Sequence, residues 1–354
     1  MLTVNELKQI QIHRQHLTDK TDIHTICHDL NGIQAQFLSN AEHSLRIRCK
    51  DKIDKTTYGN SLVKNWTVRS TVHIFNNDDL QLYRYEDEEN PYLSHVWDNE
   101  NYFINVMRNE CKMSPERIEY FSKFIVKRVT EGITSRDDLK NECIKAGMTD
   151  NERYGVFHSW GGLLMLLCQR GFLNYKVQEK KEFILCPSYI PMHKEAAQIE
   201  QARRYFTNFA PATIKDASYY FKWTQAYTKK VMKNLPLLNL QINGKDYFHL
   251  FKIGSNYPDI PHCIFLAGFD QLMLGYLKTE SIYLPKEYLR GIYTLTGIIL
   301  PAIMLDGKVI GRWKKDKTRL VIILFQPISS QEKMRIANES ELLWDDIKKM
   351  EWVR

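Results

Sequence analysis

Two glutamines stand one residue apart in Leu30-Asn-Gly-Ile-Gln-Ala-Gln36, directly after an Asn31-Gly32 break. An amide side chain donates and accepts hydrogen bonds but cannot take a proton near neutral pH. Gln34 and Gln36 could therefore orient a water or face a developing positive charge, and could not serve as a strong general base. The plainer reading of the same residues is a helix-start pair that bonds backbone groups left free by the break. A second pair, Arg69 and His73, alternates on one face of an expected strand with Thr71 between them. Arginine there suits a phosphate contact and histidine a polar contact, against the competing reading of a satisfied pair at a strand end. The third group is cationic: Lys229, Lys230 and Lys233 follow Gln225, with Arg203 and Arg204 upstream. Lys and Arg neutralise a phosphate backbone and position a protein on it without reading sequence, and they equally furnish ordinary solvated helix faces.

Other chemistries are poorly represented. No Walker loop, G-x-G-x-x-G, H-E-x-x-H or G-x-S-x-G occurs, which removes the commonest nucleotide, zinc-protease and serine-hydrolase readings. The seven cysteines are scattered, odd in number and never in a C-x-x-C pair, so reduced thiols and a cytoplasmic location are expected. His28 beside Cys27 reads as packing, and no metal, nucleotide or other cofactor is expected. The first residues show no basic segment followed by an apolar one, and the apolar stretch at 298–305 stops well short of the ~18 residues a membrane span needs. At 44% hydrophobic and 26% charged, the 354 residues are ordinary globular usage, enough for two or three folded units at roughly 150 residues each. The net charge of +7 permits a polyanionic partner without demanding one.

The elements that must position these residues are clearest at 193–256. Thr213 with Asp216 reads as a capping box opening a helix to about Phe221, and Thr224 can cap a second helix that Pro236 stops. Alternating Leu238, Leu240 and Ile242 then turn at Asn243-Gly244 and return through Tyr247, His249 and Phe251, a strong hairpin signal. With a helix over 196–207, this is the order of a winged helix. The order recurs at 114–192. Ser114-Pro115 starts one helix, Ser135 with Asp138 caps another, a third covers 153–170, and two short runs flank the charged tip at 178–182. Residues 1–85 offer three helices (4–17, 22–30 and 37–48) and an alternating run over 66–75. Residues 86–113 read as an acidic linker. From 257 to 354 short apolar runs, with a hairpin turn at Asp306-Gly307, suggest a small antiparallel β-barrel followed by a helix over 330–350. The expected fold class is α+β: tandem winged-helix, that is helix-turn-helix, domains closed by that barrel. The aromatic residues Trp160, Tyr219, Tyr220 and Trp223 read as core. Fold alone leaves a non-catalytic winged-helix DNA-binding regulator open as the alternative to an enzyme.

Four segments together resemble the AlkZ-like (YcaQ-type) DNA glycosylases. Leu30-Asn-Gly-Ile-Gln-Ala-Gln36 is similar to that family's L-x-G-φ-Q-A-Q/D, and Trp66-Thr-Val-Arg69-Ser-Thr71-Val-His73 to its W-x-x-R-x-T-x-H. Ala202-Arg-Arg-Tyr205 through Pro211-Ala-Thr213 to Asp216 resembles R-Y…P-A-T…D, and Gly268-Phe-Asp270 through Asp306-Gly-Lys-Val-Ile-Gly311-Arg-Trp313 resembles its C-terminal segment. The resemblance implies a monofunctional glycosylase on double-stranded DNA, excising cationic alkylated purines and unhooking interstrand crosslinks, with Gln34 and Gln36 as the catalytic motif. Gln rather than Asp at the second motif position leaves the substrate scope open. Arg69, His73, Arg203, Arg204, Lys229, Lys230 and Lys233 are the expected DNA contacts, and a monomer is expected.

Overall fold

A computed structural model describes residues 2–53, 58, 61–84, 104–158, 161–254 and 256–353. The chain packs as two units, one discontinuous (Met1–Lys55 with Gln201–Arg354) and one continuous (Thr56–Glu200). Trp160 and most of the expected acidic linker lie outside the described residues. Among the described residues, no helix is long and apolar enough to cross a membrane.

Local capping chemistry sets the opening helices. Helix α1 (Val4–Arg14) starts at a reciprocal Thr3–Glu6 capping box, and α2 (Ile23–Asp29) starts at Asp22, whose carboxylate accepts from the amides of His24 and Thr25. The chain leaves α2 through Asn31 and Gly32, both left-handed at φ 53° and 83°. The Gly32 N–H donates back to the Cys27 carbonyl at 2.7 Å, a helix ending that glycine reaches without a Cβ penalty. A short extended segment, β1 (Ile33–Gln34), and then α3 (Leu38–Arg46) follow.

The continuous unit begins with β2 (Leu62–Trp66) and β3 (Val72–Asn76), paired antiparallel with Asn65 opposite His73. The alternating run expected over 66–75 is therefore a hairpin, and its turn holds Arg69 and Ser70 at φ 66° and 56°. Arg69 and His73 do not share a strand face as expected, because a tight turn cannot keep the two-residue period. After α4 (Leu80–Tyr83) come α5 (Pro115–Thr130), capped by Ser114, and α6 (Arg136–Lys145), capped by Ser135. The single helix expected over 153–170 is two: α7 (Asp150–Val156) and α8 (Gly162–Gln169). The cause is steric. Gly162 sits at φ 63° with its missing Cβ 2.5 Å from the Gly155 carbonyl oxygen, so only glycine lets α8 start against the end of α7. Strands β4 (Leu173–Tyr175) and β5 (Phe183–Leu185) extend the sheet in the order β3-β2-β4-β5. Phe121, Ile125, Leu139, Leu166 and Phe183 fill this unit's core.

Helix α9 (Lys194–Asn208) leads into the rest of the discontinuous unit. There α10 (Ile214–Phe221) opens on the expected Thr213–Asp216 capping box, and α11 (Gln225–Met232) is capped by Thr224. The β6 (Leu238–Ile242) and β7 (Lys245–His249) hairpin turns at Asn243-Gly244, with both residues at positive φ. Next come β8 (Cys263–Leu266), α12 (Gln271–Leu274), α13 (Leu289–Ile292), β9 (Ala302–Leu305), β10 (Lys308–Asp316), β11 (Arg319–Leu324), α14 (Ser330–Leu343) and β12 (Lys349–Val353). The expected barrel is corrected by this sheet. Its order is β12-β11-β10-β9-β8, it is open, and β12 runs parallel to β11. The expected helix over 330–350 stops at Leu343, and the chain returns as the parallel edge strand. The crossover helix buries Ile336 in the core with Phe265, Ile303 and Ile322, so the sheet face is covered without closure. The whole is a mixed helix-and-sheet fold.

Each unit buries a histidine. His43 bonds the Phe265 carbonyl at 2.7 Å and stacks on Trp344, while His73 bonds the Thr71 carbonyl at 3.1 Å. Burial pushes each down to about 4 from its ordinary 6.5, against the opposing pull of the carbonyl. Between these values the unfolded chain binds protons that the folded chain refuses, so stability rises with pH across the window. Urea midpoints should fall steadily as pH drops from 6.5 toward 4. His43→Gln should flatten that dependence, and an equal slope in the variant would remove His43 from the effect.

Candidate active site

The segment carrying Gln34 and Gln36 is anchored residue by residue just before the motif. The last carbonyls of a helix have no partner within it. Here side chains from elsewhere in the discontinuous unit supply them. Arg204 Nη1 donates to the His28 carbonyl at 3.3 Å, and Asn208 Nδ2 to that of Asp29 at 3.1 Å. The Tyr220 hydroxyl donates to the Leu30 carbonyl at 3.2 Å, and Gln271 Nε2 to that of Gly32 at 3.0 Å. In the other direction, Asn31 Nδ2 donates to the Gln201 carbonyl at 3.1 Å. Every residue from 28 to 32 is thus tied to α9, α10 or α12. Asp29 also takes hydrogen bonds from His16 at 2.8 Å and His28 at 2.9 Å. Burial alone would raise its carboxyl, but these two partners hold it down at about 2.

The two motif glutamines emerge from this anchor differently. Gln34 is 3% exposed, and its Oε1 has no hydrogen-bond partner among the described residues. Gln36 is exposed. Phe37, which follows it, is 42% exposed and stacks on Phe269 with ring centroids 6.0 Å apart. No side chain caps α3, so neither glutamine does the helix-start work that residue type alone suggests. A buried carbonyl oxygen left unpaired costs about 1–3 kcal/mol, a cost that a functional partner can offset.

A buried ion pair fixes the far side. Arg48 and Asp270, both fully buried, meet in two hydrogen bonds of 2.7 and 2.9 Å. Arg48 also donates to the Gln15 and Ser44 carbonyls, and the Ser44 hydroxyl donates to Asp270 at 3.2 Å. Burial pushes the Asp270 carboxyl up, but the guanidinium charge and these bonds outweigh it and hold the carboxyl below its usual range. Asp270 at the same time caps α12, accepting from the Leu272 amide at 2.9 Å. Gln271, the first residue of α12, is the one that grips Gly32.

The cationic residues divide. Lys229, Lys230 and Lys233 are exposed on α11 and at its C-cap, without a carboxylate partner among the described residues. Gln225, Lys229 and Lys233 recur every fourth residue and share one stripe of the helix surface. Arg203 is exposed, but Arg204 is only 7% exposed and spends its guanidinium on the His28 carbonyl. Of the two arginines expected to contact phosphate, α9 turns Arg204 toward the interior and leaves Arg203 at the surface. Arg69 and His73 belong to the continuous unit, where His73 is 1% exposed. Sequence reasoning missed Arg48, Asn208 and Gln271 as site builders, and it assigned Tyr220 only to the core. Their partners lie far away along the chain, so no local signal marks them.

Two substitutions test this scaffold. Asp270→Asn leaves Arg48 buried without its counter-charge and should cost about 3–5 kcal/mol in urea unfolding. Gln271→Leu leaves the Gly32 carbonyl unpaired and should cost about 1–3 kcal/mol, with faster amide exchange confined to residues 30–34. Wild-type exchange there would show that Gln271 does not hold the turn.

The AlkZ-like DNA glycosylase family model matches residues 28–344. A curated relative from Streptomyces sahachiroi, named interstrand DNA cross-link repair glycosylase, is 24% identical over 332 residues covering 86% of each chain. The solved structure of Streptomyces sahachiroi DNA glycosylase AlkZ superposes with a TM-score of 0.77 over 99% of both chains at 19% identity, a likeness of fold. The matched region takes in the glutamine pair, the side chains that anchor it and the buried ion pair, and the chain belongs to the AlkZ-like DNA glycosylases, enzymes that hydrolyse the bond between base and sugar.

Proposed function

We propose that this glycosylase excises cationic alkylated purines, of the ring-nitrogen-7 alkylguanine type, from double-stranded DNA and unhooks interstrand crosslinks, with Gln34 and Gln36 as its catalytic residues. The observation that carries this reading is the unpaired, buried Oε1 of Gln34 beside the exposed Gln36, on a segment tied down at five consecutive residues. A purine alkylated at nitrogen 7 already bears positive charge and leaves without a general acid. What remains is to stabilise an oxocarbenium-like sugar and to hold a water beneath it. Two fixed amide oxygens supply partial negative charge for both tasks, and their orientation is set before the reaction begins. The motif segment has no lysine adjacent in sequence, none lying between Lys20 and Lys50, so base release without strand cleavage is expected. The name of the Streptomyces sahachiroi relative supports the crosslink reading.

The helix-helix-helix-hairpin order at 194–249 supports the winged-helix reading of that segment, with α11 as the element laid on DNA. Lys229, Lys230, Lys233 and Arg203 would then contact phosphates, as would Arg69 in its tight turn, with His73 a polar residue beneath that turn.

Single-turnover excision from a duplex bearing a methylated guanine tests the motif. Gln34→Ala and Gln36→Ala should each slow base release on the order of 100-fold or more while affinity for undamaged duplex holds. The double variant should lose less than the two combined, because both residues act on one water and one cation. Gln36→Asp should retain release of simple alkylpurines. Wild-type rates in both alanine variants would remove the pair from the mechanism, and tight binding with no release from the native chain would favour a regulator.

For α11, affinity for undamaged duplex should fall with salt by roughly 0.9 log units per contacted phosphate per log unit of salt. Lys229→Ala with Lys230→Ala should flatten that slope for all sequences alike. An unchanged slope would place phosphate elsewhere.

A further inference from the structure

A second cationic surface lies on the C-terminal sheet, separate from α11. A cleft of about 770 Å³ is lined by α3 from Ser39 to Arg46 and by the far half of β10. Arg46, Arg312, Lys314, Lys315 and Lys317 line it against three carboxylates. One of those carboxylates, Asp346, is taken by Lys315 at 2.7 Å. Arg46, Lys314 and Lys317 are exposed, and none has a salt-bridge partner among the described residues. Arg312 contributes a buried Nε with no hydrogen-bond partner among them, a donor in want of an acceptor. Ser39 and Asn40, in the first turn of α3, line the same cleft, and no side chain caps that helix. Its positive end therefore adds to the field of the side chains.

We infer that this cleft binds phosphodiester groups of the DNA strand beside the excised base. Arginine offers a planar fork to phosphate oxygens and lysine a mobile point charge, and both kinds line the cleft. Ser39 follows Gln36 by three residues, so the cleft begins within about 10 Å of chain from the motif. A strand carries one phosphate per ~3.4 Å of helix rise, so the near edge of the cleft lies about three nucleotides from the reacting sugar. The cleft and the glutamines belong to the same packed unit, so the strand would be gripped and the base released by one body. The inference rests on the proposed function for its choice of DNA as the polyanion.

The test compares the intact chain with Lys314→Ala/Lys317→Ala in binding undamaged duplex from about 50 to 200 mM salt. The slope should shrink by roughly 0.9 for each lysine lost, and Lys314→Arg/Lys317→Arg should restore it. Trp313 and Trp344 line the cleft, so bound duplex should change tryptophan emission, and Trp313→Phe should diminish that change. Both lysines are exposed, so circular dichroism should stay that of the intact chain. Single-turnover excision at subsaturating enzyme should slow in step with the lost duplex affinity. An unchanged salt slope, or an emission change indifferent to Trp313, overturns the cleft. Absent excision by the intact chain with the slope change intact overturns the glycosylase reading and leaves the phosphate site standing.

Discussion

The bidentate bond between Arg48 and Asp270 is the contact on which the site depends. Both side chains are fully buried, and their desolvation is compensated because every polar atom of the pair has a hydrogen-bond partner nearby. Such pairs add little net stability over apolar packing of equal volume, but they tolerate only one arrangement. Here that arrangement joins the C-terminal end of α3 to the N-cap of α12, and through the Gln15 carbonyl it reaches the end of α1 as well. Gln271 follows Asp270 and bonds the Gly32 carbonyl, so the ion pair sets the position of the turn that precedes both glutamines.

That rigidity answers a chemical need. A carboxylate or histidine can be tuned for catalysis by shifting its pKa, but an amide has no proton equilibrium near neutrality to shift. Glutamine can act only through where its oxygen and nitrogen point. The role proposed for Gln34 and Gln36 therefore depends on the precision of the turn that carries them. The protein ties five residues ahead of the motif and leaves the Gln34 oxygen unpaired.

What could be read in the sequence follows the range of the interactions concerned. The Thr213–Asp216 capping box, the Ser114 cap, and the Asn243-Gly244 and Asp306-Gly307 turns are chemistry over two or three residues, and each stands where it was expected. The interruption at Gly161–Gly162 was hidden because only the fold brings the end of α7 against Gly162. The strand over Lys349–Val353 was hidden because its pairing with β11 is a tertiary fact. Arg204 looked like one more surface cation, and only the orientation of α9 turns it inward. Asp270 is at once the cap of α12 and the partner of a cation 222 residues away, and only the first of these is local chemistry. The glutamines themselves have no signature in residue type. Their role was visible through family resemblance, which the match over residues 28–344 bears out for membership and leaves as a proposal for each side chain.

The discontinuity of the motif-bearing unit gives the last step. Residues 1–55 have no complete core of their own to hold the motif, since its anchors are Asn208, Tyr220 and Gln271, and the ion-pair partner of Arg48 is Asp270. The site therefore cannot be assembled until the C-terminal third of the chain is available, a contact pattern of high sequence separation and high loop-closure cost. Such a site is all-or-none. Loss of one distant anchor loosens the turn that carries both glutamines, so under the catalytic role proposed for them this enzyme's activity should track the integrity of packing far from the glutamines more closely than it tracks pH near neutrality.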